Sequence, residues 1–252
     1  MQSVPRRLPA EEVGRLERRH EEPPQATVRA WDLPTRLFKW GLVALVAAAW
    51  ASNKFGAAVP HWHVWNGTAI LVLIVFRVLW GFFGGSTARF SAFVVSPRRT
   101  FAYLRGQLAG VAPRYLGHNP LGAWMVLALL AVVAAQAMLG LYAADADRLI
   151  VEGPLAKTVS DEGVDFAAHW HRAGFNLILA LVAIHVATNL AYDLLAKHGL
   201  IRAMVTGCKP AADFYDMREA AAGSAARALI CLAAAIAIVL GGIFALGGNP
   251  LR

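Results

Sequence analysis

The sequence predicts an all-α integral membrane protein, and three observations support that fold class. Of its 252 residues, 58% are hydrophobic and 16% are charged, and the mean hydropathy is +0.49. Soluble domains carry charge on about a quarter of their residues. The chain also contains five long apolar stretches, and its basic residues are concentrated in alternate connecting segments.

The five apolar stretches are the predicted transmembrane helices. A helix needs about 20 residues to cross the hydrocarbon core of a bilayer, and each stretch is about that long or longer. They lie at residues 37–56, 64–83, 121–143, 167–195 and 227–246. The lipid bilayer is therefore the first partner that we expect for this chain.

The distribution of Lys and Arg predicts the orientation. Three connecting segments carry seven, five and four of these residues, namely 1–36, 84–118 and 196–226. The alternate segments carry none, two and one, namely 57–63, 144–165 and 247–252. Cytoplasmic segments are enriched in Lys and Arg, so we expect a cytoplasmic N-terminus and a periplasmic C-terminus. This alternation accounts for the net charge of +8 and argues against nucleic-acid binding.

The connecting segments differ in character. Residues 1–30 are charged and rich in proline, which predicts a disordered cytoplasmic tail. The basic segment 84–118 contains an amphipathic stretch that we expect at the cytoplasmic interface. Tryptophans near the span ends, Trp31 and Trp80 among them, are expected to form an interfacial belt. The outer loop is acidic; its charged residues are Asp145, Asp147, Arg148, Glu152, Lys157, Asp161, Glu162 and Asp165.

Histidines in the fourth predicted span indicate a metal or cofactor site. His171 and His185 are 14 residues apart, which on a helix is about 40° short of four full turns and a rise of roughly 21 Å. Both imidazoles therefore project from nearly one face, one near each membrane surface. Ionisable groups within a membrane are usually functional, and the commonest use of a buried neutral imidazole is metal ligation. The two cysteines, Cys208 and Cys231, form no C-x-x-C motif, which argues against a covalent c-type haem, a zinc site or a disulfide framework.

The second span offers partners for both histidines. His63 stands at its outer end and shares a face with Gly67, where a flat macrocycle could approach the backbone. His63 and His171 are thus the expected axial pair of an outer haem. Arg77 lies 14 residues after His63, near the inner side. It could bind the propionates of an inner haem or snorkel to lipid headgroups.

Several motifs resemble the bacterial cytochrome b561 family, which includes the b-type cytochrome subunits of nickel–iron hydrogenases. They are "WDLPTRLFKW", "FRVLWGFFGGSTARFSAF", "YLGHNPLGAW", "LIRAMVTGCK" and the His171–His185 spacing, which lie between about residues 28 and 209. The resemblance implies a four-helix haem-binding bundle over residues 31–209. Residues 210–252 would then form a linker and a fifth, C-terminal transmembrane helix. It also implies haem b ligands at His63, His171 and His185.

The resemblance breaks at the other inner ligand. The family has a Phe-His-Trp step there, whereas this chain reads Phe38-Lys39-Trp40. Lys39 could ligate iron as a neutral amine once burial and iron together removed its proton. It could instead snorkel to the inner interface, leaving one haem or a five-coordinate inner haem. In a third alternative, His118 at the start of the third span would replace it. We expect an inner haem to be retained, with Lys39 favoured as the second ligand.

The expected function is electron transfer through haem b groups stacked across the bacterial inner membrane. The resemblance implies exchange with quinone or with a redox subunit, and the acidic outer loop favours a basic periplasmic partner. Such a partner could be a c-type cytochrome, a dehydrogenase or a hydrogenase. A haem-poor membrane anchor in a respiratory complex is the alternative. A transporter is disfavoured because no Asp or Glu lies at the centre of a span. The sequence leaves open a quinone-linked oxidoreductase activity and a homodimer.

Overall fold

Helices make up most of the structure, a computed structural model that describes residues 26–55, 61–144 and 152–249. The α-helices are α1 (Leu33–Phe55), α2 (His61–Phe83), α3 (Phe90–Phe93), α4 (Pro97–Leu108), α5 (Pro120–Tyr142), α6 (Asp161–Leu195), α7 (Leu200–Thr206) and α8 (Ala225–Ala245). Two short strands, β1 (Thr27–Arg29) and β2 (Cys208–Pro210), pair antiparallel. The described part of each predicted span coincides with one long helix to within one residue at its C-terminal end.

Four of the long helices in the described ranges are apolar enough to cross a membrane, and they are α2, α5, α6 and α8. Helix α1 has the required length but is not among them. It is less apolar, because Arg36 and Lys39 lie in its first two turns. It nevertheless packs along α2 and so belongs to the same bundle. The expected all-α membrane fold is confirmed, with α1 as its most polar long helix.

Helix α2 is the centre of the bundle. It packs against α1, α5 and α8, whereas α6 packs mainly along α5. Its residues Ile70, Leu71 and Ile74 lie in the main buried cluster, together with Val133 of α5 and Val239 of α8. Because lipid is as apolar as these side chains, close van der Waals packing stabilises such contacts within a membrane. In this arrangement, the face of α6 that carries His171 is directed towards α2.

The C-terminal helix α8 is an integral part of the bundle. Its small residues Cys231 and Ala235 are buried against Phe38, Phe76 and Trp80. Small side chains let helices approach closely in a membrane. Trp80 is fully buried, and Trp31 is only 3% exposed. The expected interfacial belt is therefore wrong for these two tryptophans, because the segments beside them fold over their rings.

One end of the bundle is closed by segments that the sequence assigned to a tail and a linker. Residues 27–29 form β1, so the last residues of the predicted tail form a paired strand that ends directly before the boundary predicted at residue 30. Ala220, within the predicted linker, is buried with Trp31 and Leu116. Asp32 accepts hydrogen bonds from the backbone N–H groups of Thr35, Gly85 and Gly223. Ala220 and Gly223, within the predicted linker, thus contact Trp31 and Asp32 directly before α1.

Capping residues in the sequence mark the N-termini of α5 and α6, the helices that contribute to the candidate site. Asn119 caps α5 by accepting a hydrogen bond from the N–H of Gly122 at 2.7 Å, and Pro120 follows it. Ser160 caps α6, whose first turn carries Asp161 and Glu162. The amphipathic stretch predicted within 84–118 is helical as α4.

Some predicted features lie outside the described residues. They are residues 1–25 of the expected tail and Asp145, Asp147 and Arg148 of the acidic loop. In the described part of that loop, Lys157 forms an ion pair with Glu152 at 3.1 Å.

Candidate functional site

The two histidines predicted to form the outer pair meet between α2 and α6. The ring centroids of His63 and His171 are 6.0 Å apart, and the rings are nearly perpendicular, at 87°. Helix α6 is continuous from Asp161 to Leu195, so the helical arithmetic that placed His171 on this face applies. The neighbouring histidines His61 and His169 are exposed.

Both rings are oriented by backbone carbonyls of other helices. Nδ1 of His63 lies 3.0 Å from the carbonyl oxygen of Ala49 in α1, and Nδ1 of His171 lies 2.9 Å from that of Gln136 in α5. A ring nitrogen facing a carbonyl oxygen carries the proton, which leaves the lone pair on Nε2. This is the tautomer in which a histidine ligates a metal, with its other nitrogen held by a carbonyl. The pair is thus oriented for ligation.

A cavity of about 450 Å³ adjoins this pair. Its volume lies in the range that small-molecule and cofactor sites occupy. Gly67 lines it, and a Cβ atom added there would meet nothing within 4 Å. A Cβ atom added at Gly140 would lie 2.9 Å from Cε1 of His171. The glycines therefore keep the space around the two imidazoles free, and the donor set and the cavity fit a flat iron porphyrin.

Sequence reasoning missed two residues at this site. The Gln136 side chain donates a hydrogen bond to the backbone oxygen of His171 at 2.7 Å, and Arg172 lines the cavity. Both left a signal. Gln136 is the one strongly polar side chain within the otherwise apolar α5, and Arg172 directly follows a predicted ligand. Arg172 could pair with a carboxylate of a bound group.

The residues predicted for the inner site lie close together at the end of the bundle that β1 and β2 close; they are Lys39, Arg77, His118 and His185. His118 lies within electrostatic reach of Lys39, Arg77 and His185. Its ring contacts the rings of Trp31 and Phe93, with centroids 4.8 and 4.7 Å away. Burial lowers the pKa of His118 well below its ordinary value, and the positive charges of Lys39 and Arg77 lower it further. His118 is therefore held neutral.

Arg77 is buried in this group rather than directed to lipid. It is 2% exposed, and its guanidinium lies 5.2 Å from the ring centroid of Phe90 and 6.0 Å from that of Phe93. Its Nη1 atom and Nδ1 of His118 are both buried without a hydrogen-bond partner. Buried donors normally have acceptors. A group with acceptor oxygens, such as carboxylates, would satisfy Nη1 of Arg77 and also Nδ1 of His118 where that nitrogen carries the proton.

Lys39 and His185 lie close enough for their charges to interact, but each also has its own partner. The Lys39 ammonium donates to Sδ of Met204 at 2.9 Å and stands 4.1 Å from the ring centroid of Trp31. The Asn189 amide nitrogen lies 3.2 Å from Nε2 of His185 and donates to its backbone oxygen at 2.7 Å. The inner ligand nitrogens are thus not oriented as the outer pair is.

The donor sets suit a porphyrin iron better than a bare metal ion. Within the described ranges, no group of three or more His, Cys, Asp or Glu side chains could hold a metal ion. Haem iron needs only axial ligands from the protein, because the macrocycle supplies the other four. A pair such as His63 and His171 is therefore sufficient.

Comparison with known proteins agrees with this geometry. The family model described as prokaryotic cytochrome b561 matches residues 30–207, which is more than half of the chain. The matched range contains every residue named above as a candidate ligand. Searches of curated proteins and of solved structures found no match.

Proposed function

The chain belongs to the prokaryotic cytochrome b561 family, and from this premise we propose that it carries electrons between quinone or the cytoplasmic side and a periplasmic redox protein. Membership makes it a multi-pass membrane b-type cytochrome of electron transfer, with haem b as the implied cofactor. The observation that carries the proposal is the outer pair, with both Nδ1 atoms on carbonyl oxygens beside a cavity of about 450 Å³.

At the outer site, the protein would bind the haem and orient the two histidines that hold it. His63 and His171 would hold the haem iron, and the carbonyls of Ala49 and Gln136 fix the tautomer of both imidazoles and increase their basicity. Haem, when bound, supplies a one-electron iron couple whose potential depends on axial ligands, hydrogen bonding and burial. Arg172 would receive a carboxylate of the macrocycle at the cavity edge.

We place a second haem b at the inner group. His185 would be one iron ligand and the Lys39 amine the other. Arg77 and His118 would receive the propionates, because Nη1 of Arg77 and Nδ1 of His118 are buried without partners. Among the described residues, Asp32 is the acidic residue whose charge acts on Lys39, and it already accepts hydrogen bonds from three backbone N–H groups. The two propionates of the inner haem would therefore balance the excess positive charge of Lys39 and Arg77.

The proposed orientation places the inner group in the cytoplasmic half of the inner membrane. The acidic residues near the start of α6, Asp161, Glu162 and Asp165, would then face the periplasm six to ten residues before His171. On a helix this corresponds to a rise of roughly 9 to 15 Å. That charge would steer a basic partner such as a c-type cytochrome, or a dehydrogenase or hydrogenase subunit. Basic residues of 84–118 would border a quinone site on the opposite side.

The haem count of the purified protein tests this function. A pyridine haemochrome assay on the wild type should give two haems b per chain. His171→Ala should remove one of them, because it deletes an axial ligand of the outer site. His169→Ala is the matched control, since His169 lies two residues away on the same helix and is exposed.

Each possible haem count decides how much of the proposed function is retained. A wild-type protein without haem would overturn the proposal and favour the alternative of a haem-poor membrane anchor in a respiratory complex. The contacts of Lys39 with Met204 and Trp31 are the observation that favours that alternative. A count of one that His171→Ala reduces to none would retain the outer site and remove the inner one.

A further inference from the structure

A second, smaller cavity lies where α6 ends, and its lining shares no residue with the residues assigned to either candidate haem site. Its volume is about 50 Å³, and its lining includes Arg114, Tyr115, Lys197, His198 and Lys209. One water needs about 10 to 15 Å³ on this measure, so the cavity has room for three or four. That suits a small tetrahedral anion or a headgroup and excludes a macrocycle.

The lining is strongly basic. Arg114, Lys197 and Lys209 are cationic, His198 stands beside them, and no acidic residue is among the described residues of the lining. The two carboxylates whose charges act on Lys209 lie outside the lining, and both accept hydrogen bonds from backbone N–H groups. Asp193 accepts from Leu200 and Ile201, and Asp216 accepts from Leu116 and Gly117. The cavity therefore keeps an excess of positive charge.

Lys209 forms a fixed part of the cavity wall. It is 3% exposed, and its ammonium donates to the carbonyl oxygens of Tyr115 at 3.1 Å and Leu116 at 2.7 Å. An ammonium has three hydrogens, so one remains for a ligand. Burial lowers the pKa of Lys209 to about 8, against the opposing effect of Asp216 and Asp193. A bound anion would stabilise its charged form.

The surroundings favour a lipid as the source of that anion. Leu194 and Leu195, in the last turn of α6, are 74% and 84% exposed, and only Ala196 separates them from Lys197 and His198. Helix α6 is a candidate membrane span, so its end lies near the headgroup region. An apolar surface next to a basic pocket matches an acyl chain joined to a phosphate, and basic pockets between membrane helices bind anionic headgroups.

We propose that this cavity binds a phosphate group, supplied by the headgroup of an anionic phospholipid, on Arg114, Lys197, His198 and Lys209. The phosphate would accept hydrogen bonds from the buried ammonium of Lys209 and from the more exposed basic side chains at the rim. The acyl chains would lie along the exposed leucines of α6. Binding would fix the end of α6 relative to β2 and does not depend on how many haems the bundle holds.

The test uses the full chain in a neutral detergent, with two separate titrations. One arm adds phosphatidylglycerol in mixed micelles, with phosphatidylcholine as the zwitterionic reference. The other adds inorganic phosphate at constant ionic strength. Native mass spectrometry counts the lipids retained, and calorimetry gives the affinities. We expect one retained phosphatidylglycerol per chain and weaker binding of inorganic phosphate.

Matched double variants assign the binding to the cavity. Arg114→Gln with Lys197→Gln removes two rim charges and leaves the buried Lys209 in place for folding. Arg98→Gln with Arg202→Gln removes two exposed charges that do not line the cavity. Each removed charge near a membrane surface should weaken binding about fivefold, so the rim variant should lose about 25-fold and the control almost nothing.

The possible outcomes distinguish a lipid from free phosphate as the source of the anion, and they show whether the cavity binds an anion at all. If the rim variant weakens only inorganic phosphate binding, the site stands and free phosphate is its source. If the rim and control variants bind both probes equally, the cavity is not an anion site and the inference fails. The haem count is measured on the same samples, so a failure of the proposed electron transfer is recognised independently.

Discussion

The outer pair and the inner group differ in how their imidazoles are held. At the outer site, the carbonyls of Ala49 and Gln136 hold both Nδ1 atoms, and a cavity adjoins the rings. At the inner site, the Asn189 amide nitrogen lies 3.2 Å from Nε2 of His185. The residue that replaces a family histidine there is Lys39, held by Met204 and Trp31.

Orientation by neighbouring helices, rather than the presence of a histidine, therefore distinguishes a prepared ligand site. A carbonyl that fixes the tautomer is in place before any iron arrives, so the outer pair loses little freedom on binding. The inner nitrogens would have to exchange existing partners first. We therefore expect the two sites to respond differently to the same class of substitution.

The largest expected contrast comes from His185→Ala. It should remove the inner haem and leave the outer one, so the count falls by one and the remaining spectrum is that of a bis-histidine site. Ile184→Ala, on the exposed neighbour of His185, is the control. Loss of both haems at normal protein yield would mean that the two sites are not independent.

Lys39 is the next test, and its effect should be on coordination rather than on haem content. Lys39→Ala should raise the high-spin fraction of the inner ferric haem, because the sixth ligand is removed. Lys39→His should give a low-spin bis-histidine site. Electron paramagnetic resonance and near-infrared magnetic circular dichroism distinguish these states, with Lys157→Ala as the control. An unchanged spectrum in Lys39→Ala would show that the amine does not ligate iron.

In the haem-free protein, where no propionate lies beside it, His118 predicts a pH dependence of stability at the inner end of the bundle. Its pKa is lowered when folded, chiefly by burial, so the unfolded chain binds its proton first as the pH falls through about 6.5. Stability should therefore decrease below that pH, by at most about 1.4 kcal/mol per pH unit from this residue. Urea unfolding at pH 7.5, 6.5 and 5.5 measures the slope.

His118→Gln should flatten that slope without abolishing it, because burial also lowers the pKa of His198. His61→Gln, on an exposed histidine, should leave the slope unchanged. An equal slope in wild type and His118→Gln would contradict a buried neutral His118.

Much of the outer site could be predicted from the sequence, because helix geometry is local. Once α6 is helical, His171 and His185 must share a face, and His63 shares one with Gly67. The carbonyls that orient the rings could not be predicted, since they depend on how α1 and α5 pack beside α2 and α6. The β1–β2 pairing and the burial of Trp31 and Trp80 also depend on contacts between segments far apart in the chain. Such contacts leave no periodic signal.

The smallest effect is expected from Gln136→Leu at the outer site. The change removes the 2.7 Å hydrogen bond to the backbone oxygen of His171, which is worth about 0.5 to 1.5 kcal/mol. It also removes Oε1 of Gln136, which is buried without a partner, and that partly offsets the loss. The backbone carbonyl of residue 136 still accepts from Nδ1 of His171, so the ligating tautomer is retained. We expect a full haem count and less than a tenfold loss of haem affinity, measured by haem transfer to apomyoglobin, with Met138→Leu as the control. Complete loss of the outer haem would mean that the amide side chain, rather than the carbonyl, positions His171.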